Sequence, residues 1–341
     1  MKTTFDRAYG TVLGSAIGNA MGATLEFSTN TITQKDVKNA MSLPGGGVFN
    51  VAKGQVTDDT ELTLAMCNGI IDYINCSNKS KIVNTELLQK YLANRYYEWF
   101  CSKPFDMGNT IKATFTGINK NDTIAQIRDK MVNNAKELNF KSMSNSSLMR
   151  CTPLAILSIN VNNIIEVNRL VKCDAGLFHS NKVVQDAITA YVFILSRLIS
   201  GTFDNKTIQS VKEWLTDNDS ENVKMLIDNA LFQKFPAYSP NVGYFAISFS
   251  RAIYYSTRNE GDIDYNTIIS KVLLGGGDTD TNAAVIGAIL GSIKGYKSLP
   301  KKQTKKILTC KSKHSRPNRY HPVCLESIVR TLLSVDIDTV F

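Results

Sequence analysis

Residues 10–22 read Gly-Thr-Val-Leu-Gly-Ser-Ala-Ile-Gly-Asn-Ala-Met-Gly. In a helix, a four-residue spacing places its members along one face, and glycines there let a neighbouring helix approach closely. The glycines with this spacing are Gly10, Gly14, Gly18 and Gly22. A signal peptide or a membrane span is a poorer explanation, because Asp6 precedes the apolar run and Asn19 lies within it. The stretch therefore predicts a helix that packs tightly against another helix.

The rest of the chain also shows helical periodicity, and strict alternation of apolar and polar residues is hard to find. Its 341 residues suffice for one large domain or two, but we find no internal repeat, βαβ rhythm or flexible linker. Thr85 is a candidate cap for one helix, and Asn121 or Asp122 for the next. We predict a single all-α domain over residues 1–341, with further helices near residues 60–75, 147–158, 164–173, 183–200, 206–216, 220–232, 242–256, 264–274, 281–293 and 322–334.

Positive charge is concentrated near the C-terminus. The net charge is +9, but segment 294–320 holds eight lysines, two arginines and no acidic residue, so the remainder carries about −1. We interpret 294–320 as a solvated basic loop or insertion. Contact with nucleic acid or with substrate phosphates is the alternative, although no aromatic residues are interleaved among the basic ones as in a single-strand binding platform.

Cysteine and histidine usage argues against a disulfide framework and a zinc site. The seven cysteines are scattered, form no C-x-x-C pair and are accompanied by only three histidines. Reduced thiols are typical of an intracellular protein, most simply a cytoplasmic one. We expect no membrane association, because Asp186 and Arg197 interrupt the most apolar stretch, 183–200.

Two short acidic segments stand out, TDDT at 57–60 and GGGDTDT at 275–281. Each precedes an apolar helical run, so helix capping by Asp and Thr is one explanation. Capping needs only one or two such residues, whereas clustered carboxylates repel one another, and a cation normally offsets that cost. Oxygen ligands suit Mg²⁺, Mn²⁺ or Ca²⁺ better than Zn²⁺, and four carboxylates are enough to bridge two ions. We therefore favour a metal site over capping alone.

Further motifs run through nearly the whole length in a fixed order. They are GSAIGNAMGA at 14–23 followed by Glu26, TDDT at 57–60, DMGNT at 106–110, SNSSLMR at 144–150 with PLA at 153–155, HSN at 179–181, GY at 243–244 and GGDTDTNAA at 276–284. In this combination the chain resembles the ADP-ribosylglycohydrolase family, which includes the enzyme that reactivates dinitrogenase reductase and the ADP-ribosyl-arginine and ADP-ribosyl-serine hydrolases. Each motif alone is weak, but together and in order they are highly specific.

The resemblance implies an all-α domain of orthogonally packed helices with a binuclear metal cleft that binds two Mg²⁺ or Mn²⁺ ions. By family position, the metal ligands are Thr57, Asp58, Asp59, Asp278, Asp280 and Thr281. The carboxylates assigned to proton transfer are Asp59, Glu26 and Asp106. The residues that match substrate-contacting positions are Gly108, Asn109, Thr110, Asn145, Ser146, Ser147 and His179.

Several of these residues also have a structural explanation. Glu26 is in a position to end a helix at the surface, and Asp106 and Asn109 are common turn residues. His179 is a candidate for a helix cap or for satisfying a buried polar group. Arg150 we interpret as structural.

Two departures from the family pattern concern the surroundings of the metal site. Asn19 stands where many members have Asp, which removes a charge and alters hydrogen bonding behind the site. Ser146 stands where many members have Gly, in a loop that is expected to approach phosphates closely. Neither residue is one of the six implied ligands.

The activity implied is metal-dependent hydrolysis of the glycosidic bond between ADP-ribose and a modified acceptor, through an oxocarbenium-like state. The acceptor would be a protein arginine or serine side chain or a related conjugate. One alternative is an ADP-ribose-binding protein of the same fold without catalysis. Another is a two-metal phosphohydrolase.

Overall fold

The structure is a computed structural model that describes residues 2–28, 30–77, 81–82 and 84–337. Within these ranges nearly all regular structure is helical, which confirms the all-α prediction. The described strands, β1 (Lys81–Ile82) and β2 (Asp336–Ile337), pair in parallel. The α-helices of the described residues are α1 (Thr4–Gly22), α2 (Gln34–Ala40), α3 (Asp58–Ser77), α4 (Thr85–Cys101), α5 (Asn109–Thr114), α6 (Ile124–Glu137), α7 (Thr152–Leu157), α8 (Ile164–Ala175), α9 (Lys182–Ser200), α10 (Asn205–Asp217), α11 (Glu221–Leu231), α12 (Phe245–Ser256), α13 (Tyr265–Leu274), α14 (Thr279–Lys294), α15 (Lys301–Leu308) and α16 (Leu325–Leu332).

A helix is observed in each predicted region, although the one predicted near 147–158 is shorter and spans only Thr152–Leu157. The capping residues differ from the prediction. Thr85 is already the first residue of α4, and the side chain of Asn84 caps that helix. Neither Asn121 nor Asp122 caps α6, because Thr123 lies directly before the helix and its hydroxyl accepts from the first turn. The N-cap is the non-helical residue directly before the first helical residue. Hydrophobic periodicity alone does not locate that residue to within one position.

The glycine face of α1 packs against α14, as its spacing predicts. A Cβ added to Gly14 would lie 2.4 Å from the carbonyl oxygen of Gly287, and one added to Gly22 would lie 2.3 Å from the Cα of Asp280. Real side chains do not approach backbone atoms so closely, so only glycine fits at these points. The packing brings the last turn of α1 against the first turn of α14.

Helix α9 lies in the core. By length and composition it is the one helix of the described chain that could cross a membrane, but 83% of its most apolar stretch is buried inside the protein. The charged residues of α9 have partners: Asp186 pairs with Lys182, and the Arg197 guanidinium donates to the carbonyl oxygens of Ser158 and Val161. Burial in the core therefore accounts for the apolar composition of α9.

The prediction of a loop or insertion over 294–320 is wrong for much of that segment. Lys301–Leu308 forms α15, and the residues that follow pack on the protein instead of extending from it. The Arg316 side chain is 2% exposed and pairs with Glu61, at 2.6 Å between Arg316 Nη2 and Glu61 Oε2. Its Nη1 also donates to the carbonyl oxygen of Ser102. This buried ion pair joins two segments that are distant in the sequence. The sequence did not predict it, because Arg316 lies in a run of basic residues and nothing there indicates its partner.

Candidate active site

Two helix N-termini place the acidic segments side by side. Asp58 and Asp59 begin α3, and Asp280 lies in the first turn of α14. Between them the fully buried Asn19 of α1 donates from Nδ2 to Asp59 Oδ2 at 2.8 Å, and its Oδ1 accepts from the backbone N–H of Thr57 at 2.9 Å. The Gly22 contact holds α1 against α14, so Asn19 ties the two acidic segments together.

The acidic segments open into a cleft of about 590 Å³. Most of the residues assigned to the site by resemblance line it, and they are Glu26, Asp58, Asp106, Gly108, Asn109, Thr110, Asn145, Ser146, Asp278, Asp280 and Thr281. The cleft also has apolar walls, which include Phe27, Phe49, Phe105 and Met149. Sequence reasoning missed the three phenylalanines, because single aromatic residues in loops carry no pattern that separates a site from a core.

The carboxylates of the cleft have a geometry that fits hard cations. Oxygens of Glu26, Asp106 and Asp280 lie within 4.8 Å of one another, as do oxygens of Asp58, Asp59 and Asp280. Asp280 belongs to both sets, as expected of a residue between two ions. Buried carboxylate oxygens without a hydrogen-bond partner are found on Glu26 (Oε2) and Asp59 (Oδ1).

No basic side chain neutralises these carboxylates. Within the described residues, no Lys, Arg or His lies in ion-pair distance of any acidic residue of the cleft. All-oxygen ligands, two triads that share a member and orphaned buried oxygens are what a pair of divalent ions such as Mg²⁺ or Mn²⁺ requires. The residues present therefore fit a divalent cation. Of the four carboxylates among the ligands that the resemblance implies, the two sets contain Asp58, Asp59 and Asp280 but not Asp278.

Burial and mutual repulsion make these carboxyl groups hard to ionise when no cation is bound. Burial, then the charges of Asp278 and Asp58, raises the pKa of Glu26 to about 9. Burial and the charge of Glu26 raise the pKa of Asp106 to about 8. Burial and the charge of Asp278 raise the pKa of Asp59 to about 7. The pKa values of Asp58 and Asp280 are also raised, by burial first.

The capping explanation is correct for one aspartate. Asp278 lies directly before α14, and its Oδ1 accepts from the backbone N–H of Thr281 at 3.3 Å. Its Oδ2 accepts from Asn145 Nδ2 at 2.8 Å, which connects the 144–147 loop to the acidic segment. Asp280, inside the first turn of α14, also accepts from the backbone N–H of Thr281 through Oδ1, at 2.8 Å, whereas its Oδ2 faces Thr57 and Asn19. Asp58 and Asp59 lie inside the first turn of α3 and not at its cap position, so capping does not explain them.

Four of the assigned residues lie behind the cleft wall. The hydroxyl of Thr57 is 2.7 Å from Asp280 Oδ2 and 3.0 Å from Asp59 Oδ2, and Asp59 itself is 1% exposed. Ser147 accepts from Arg150. His179 is fully buried and does not line the cleft; its Nε2 lies 2.9 Å from Ser146 Oγ.

His179 is neutral at physiological pH in this position. Burial, followed by the nearby charge of Arg150, lowers its pKa to about 3. A neutral imidazole hydrogen-bonds the Ser146 hydroxyl without adding a charge. His179 therefore supports the loop through Ser146, and the added side chain of Ser146 has a defined partner.

Arg150 is structural, as the sequence indicated. It is fully buried, donates to Asp174 Oδ2 at 2.9 Å and to the carbonyl oxygen of Ser146 at 2.5 Å, and stacks on the ring of Phe178. These contacts fix the backbone of the 144–147 loop at the edge of the cleft.

Comparisons with known proteins identify the family of this chain. The chain matches the ADP-ribosylglycohydrolase family over residues 1–330. A protein of Acanthamoeba polyphaga mimivirus that is named as an ADP-ribosyl glycohydrolase is 26% identical over 332 residues, covering 90% of this chain and 92% of the viral one. The ADP-ribosyl-[dinitrogen reductase] glycohydrolase of Rhodospirillum rubrum is 22% identical over 296 residues, which are 86% of this chain and 88% of that protein.

A shorter match and a solved structure complete the comparison. The ADP-ribosylarginine hydrolase of Pseudomonas putida is 40% identical over 78 residues, 21% of this chain and 20% of that protein. A solved structure titled ADP-ribosylglycohydrolase-related protein complex superposes with a TM-score of 0.68 at 19% identity, over 98% of this chain and 99% of that chain, and shows the shared fold. The chain belongs to the ADP-ribosylglycohydrolase family of enzymes.

Proposed function

We propose that this protein hydrolyses the bond between C1″ of ADP-ribose and a modified protein side chain, in a reaction that depends on two divalent cations. The observation that carries the proposal is the convergence of six carboxylates on one cleft without a basic partner among the described residues. We expect the reaction to take place in the cytoplasm.

The metal ligands would be Thr57, Asp58, Asp59, Asp278, Asp280 and Thr281. When bound, Mg²⁺ or Mn²⁺ would neutralise the cluster, polarise the ribose hydroxyls and make water more acidic. Of these six, Asp280 has the most central position, because its oxygens belong to both carboxylate triads.

Glu26 and Asp106 are the side chains best placed to move protons. Both line the cleft, and Glu26 Oε2 has no hydrogen-bond partner, so this oxygen would be available to accept a proton from an attacking water once bound cations offset the repulsion that raises the pKa of Glu26. Burial and the charge of Glu26 raise the pKa of Asp106 to about 8, so Asp106 is suited to hold a proton for the leaving acceptor atom. Asp59 is too buried for this role, and its position favours metal binding only.

The ADP-ribose would lie along the loops that flank the cluster. Gly108 precedes α5, whose first N–H groups are without side-chain caps, and a helix N-terminus attracts phosphate. Asn145 and Ser146 face the same cleft from the opposite loop, which Arg150 and His179 hold from behind. Ser147 would act through this loop and not by contact.

Arginine is the acceptor that we favour. One relative is named as an ADP-ribosylarginine hydrolase, and another as acting on ADP-ribosyl-dinitrogen reductase. A serine linkage is the second candidate, since the same cleft would hold the same ADP-ribose and the two linkages differ only at the acceptor.

The test is release of free ADP-ribose from matched peptides modified on arginine or on serine, with Mg²⁺, with Mn²⁺ and with EDTA. We expect metal-dependent release from the arginine peptide, and its loss in the Asp58→Asn/Asp280→Asn variant. Release of phosphate would support a phosphohydrolase instead. Binding of ADP-ribose without release from either peptide would support a binding protein.

A further inference from the structure

Three loop segments meet on one side of the cleft mouth. The His314 imidazole is 2.8 Å from the carbonyl oxygen of Phe49, and Lys313 Nζ donates to Asn50 Oδ1 at 2.8 Å. The backbone N–H of Lys313 also donates to Gln55 Oε1 at 2.9 Å. Arg316 bonds Ser102 in the segment that leads to Asp106. We call the surface formed by 48–55, 102–105 and 306–316 the basic rim.

A row of aromatic rings lies where the basic rim meets the cleft, and it continues to Phe27 on the other side of Phe49. The ring centroids of Phe27 and Phe49 are 6.0 Å apart, those of Phe49 and Phe105 5.8 Å, and those of Phe105 and His314 4.8 Å. The three phenylalanines line the cleft, and Phe27 and the neighbouring Val48 are 57% and 66% exposed. Exposed apolar side chains beside a cleft usually contact a ligand or a partner.

The basic rim has an excess of positive charge, because among the described residues only Arg316 of its basic side chains is paired with a carboxylate. The three segments contain no acidic residue, and their lysines Lys53, Lys103, Lys306, Lys311 and Lys313 have no ion-pair partner among the described residues. The carboxylates of the cleft, which adjoins the basic rim, would be neutralised by a bound cation. The basic rim therefore attracts acidic groups.

We propose that the basic rim binds the acceptor protein, and that this acceptor carries acidic residues beside an apolar one next to the modified side chain. The inference rests on the proposed function. Glu26 and Asp106 directly precede or follow Phe27 and Phe105, so the rings adjoin the groups that would act on the acceptor bond.

A protein acceptor fits the rim better than a nucleic acid. Neighbouring rings of the row are tilted or edge-on, at 71° and 59°, and His314 covers Phe105, so successive bases find no parallel faces to stack on. Val48 is an aliphatic contact of the kind that protein surfaces supply.

The experiment compares three modified peptides that share the linkage cleaved by the wild-type protein. Their flanking residues are acidic, neutral or basic, and ADP-ribosylated free amino acid serves as the substrate without flanks. We expect kcat/KM to be about tenfold higher for the acidic than for the neutral peptide at low salt, and the preference to shrink as salt rises.

The variant Lys53→Glu/Lys103→Glu/Lys311→Glu should abolish or reverse this preference while leaving kcat/KM for the modified amino acid unchanged. The matched control is Lys120→Glu/Lys136→Glu/Lys206→Glu, which has the same change in net charge on exposed lysines of other segments and should keep the preference. Val48→Ala, at an exposed residue that does not line the cleft, should weaken cleavage of the peptides but not binding of free ADP-ribose.

Three results would overturn the inference. They are equal kcat/KM for the three peptides, loss of free ADP-ribose binding in Val48→Ala, and salt-sensitive retention of single-stranded RNA that only the rim variant loses. Failure of the proposed function has a different signature, because then no substrate, including the modified amino acid, releases ADP-ribose.

Discussion

Buried carboxylates occur in two regions of this protein and are neutralised in different ways. In the structural region, Asp174 pairs with Arg150 and Glu61 pairs with Arg316, and all four side chains are at most 3% exposed. In the cluster at the cleft, Asp58, Asp59 and Asp280 are also buried, at 8%, 1% and 1% exposure, yet they have no cationic partner among the described residues.

The difference shows which charges the chain neutralises by itself. An unpaired buried charge costs several kcal/mol, so a fold keeps one only where something outside the chain offsets that cost. The charges of the structural carboxylates are neutralised by arginines of the chain, whereas those of the cleft carboxylates are neutralised only when a cation binds. Substitutions in the two regions should therefore have opposite effects on stability and activity.

The largest effect should come from Asp280→Asn, because Asp280 belongs to both carboxylate triads. We expect ADP-ribose release to fall at least ~10⁴-fold, since the cations supply several kcal/mol of transition-state stabilisation. The metal-free variant should be as stable as wild type or more stable, because one buried charge is removed. Kinetics with Mg²⁺ and urea unfolding in EDTA measure the two quantities. A variant that loses stability in EDTA contradicts the assignment.

Arg150→Met should have the next largest effect, this time on stability. Removing one partner of a fully buried pair leaves Asp174 charged and unpaired, which typically costs about 3–5 kcal/mol. Urea unfolding should show this loss equally with and without divalent cation. The exposed pair of Lys224 with Glu221 provides the control, and Lys224→Met should cost less than about 1 kcal/mol.

If Arg150→Met fails to fold, the double variant Arg150→Met/Asp174→Leu keeps the test decisive. Replacing both partners removes the unpaired charge, so it should recover much of the stability. A double variant no better than the single one would mean that Arg150 matters through its loop contacts and not through the ion pair.

Divalent cations should stabilise the protein, and pH should modulate the metal-free form. A cation at 100 times its Kd adds about 2.7 kcal/mol to the free energy of unfolding. Without cation, the raised pKa values of about 9 for Glu26, 8 for Asp106 and 7 for Asp59 mean that the folded state binds more protons than the unfolded state. Stability is then greatest below the unfolded pKa of roughly 4 and falls as pH rises to about 9.

Thermal melting from pH 5 to pH 9, in EDTA and in Mg²⁺, checks this prediction. The two curves should diverge as pH rises, because protons and cations compete for the same oxygens. Parallel curves would indicate that the cleft does not bind the cation through these carboxylates.

The sequence predicted the fold and the acidic centre better than it predicted their surroundings. Helical periodicity and the glycine spacing act over many residues, so α1 and its close partner were predictable. The basic segment was misread, because Arg316 pairs with Glu61 across 255 residues, and no local pattern reports such a contact. His179 was placed in contact with substrate for a related reason, since only the structure shows Ser146 in front of it.

The smallest effect should follow from Asn19→Asp, at the position where many family members have Asp. In this chain the Asn19 amide donates to Asp59 at 2.8 Å and lies 3.5 Å from Asp280, so it partly satisfies the carboxylates that the cation must neutralise. Asp would remove this donor and add a negative charge, and we expect the metal-free protein to lose about 1–3 kcal/mol. Saturating Mg²⁺ should restore most of that loss, because the added charge strengthens cation binding.

The matched substitution Asn139→Asp separates this effect from the loss of a buried amide in general. Asn139 is 4% exposed, and its Nδ2 donates to Thr110 O, Thr114 Oγ1 and Phe178 O, none of which is a carboxylate of the cleft. The Asn139→Asp variant should lose a similar amount of stability, but Mg²⁺ should not restore that loss. If Mg²⁺ rescues both variants equally, or neither, then Asn19 is an ordinary buried amide. Rescue of Asn19→Asp alone would mean that this chain uses a neutral donor where its relatives use a charge, and depends less on the cation for its fold.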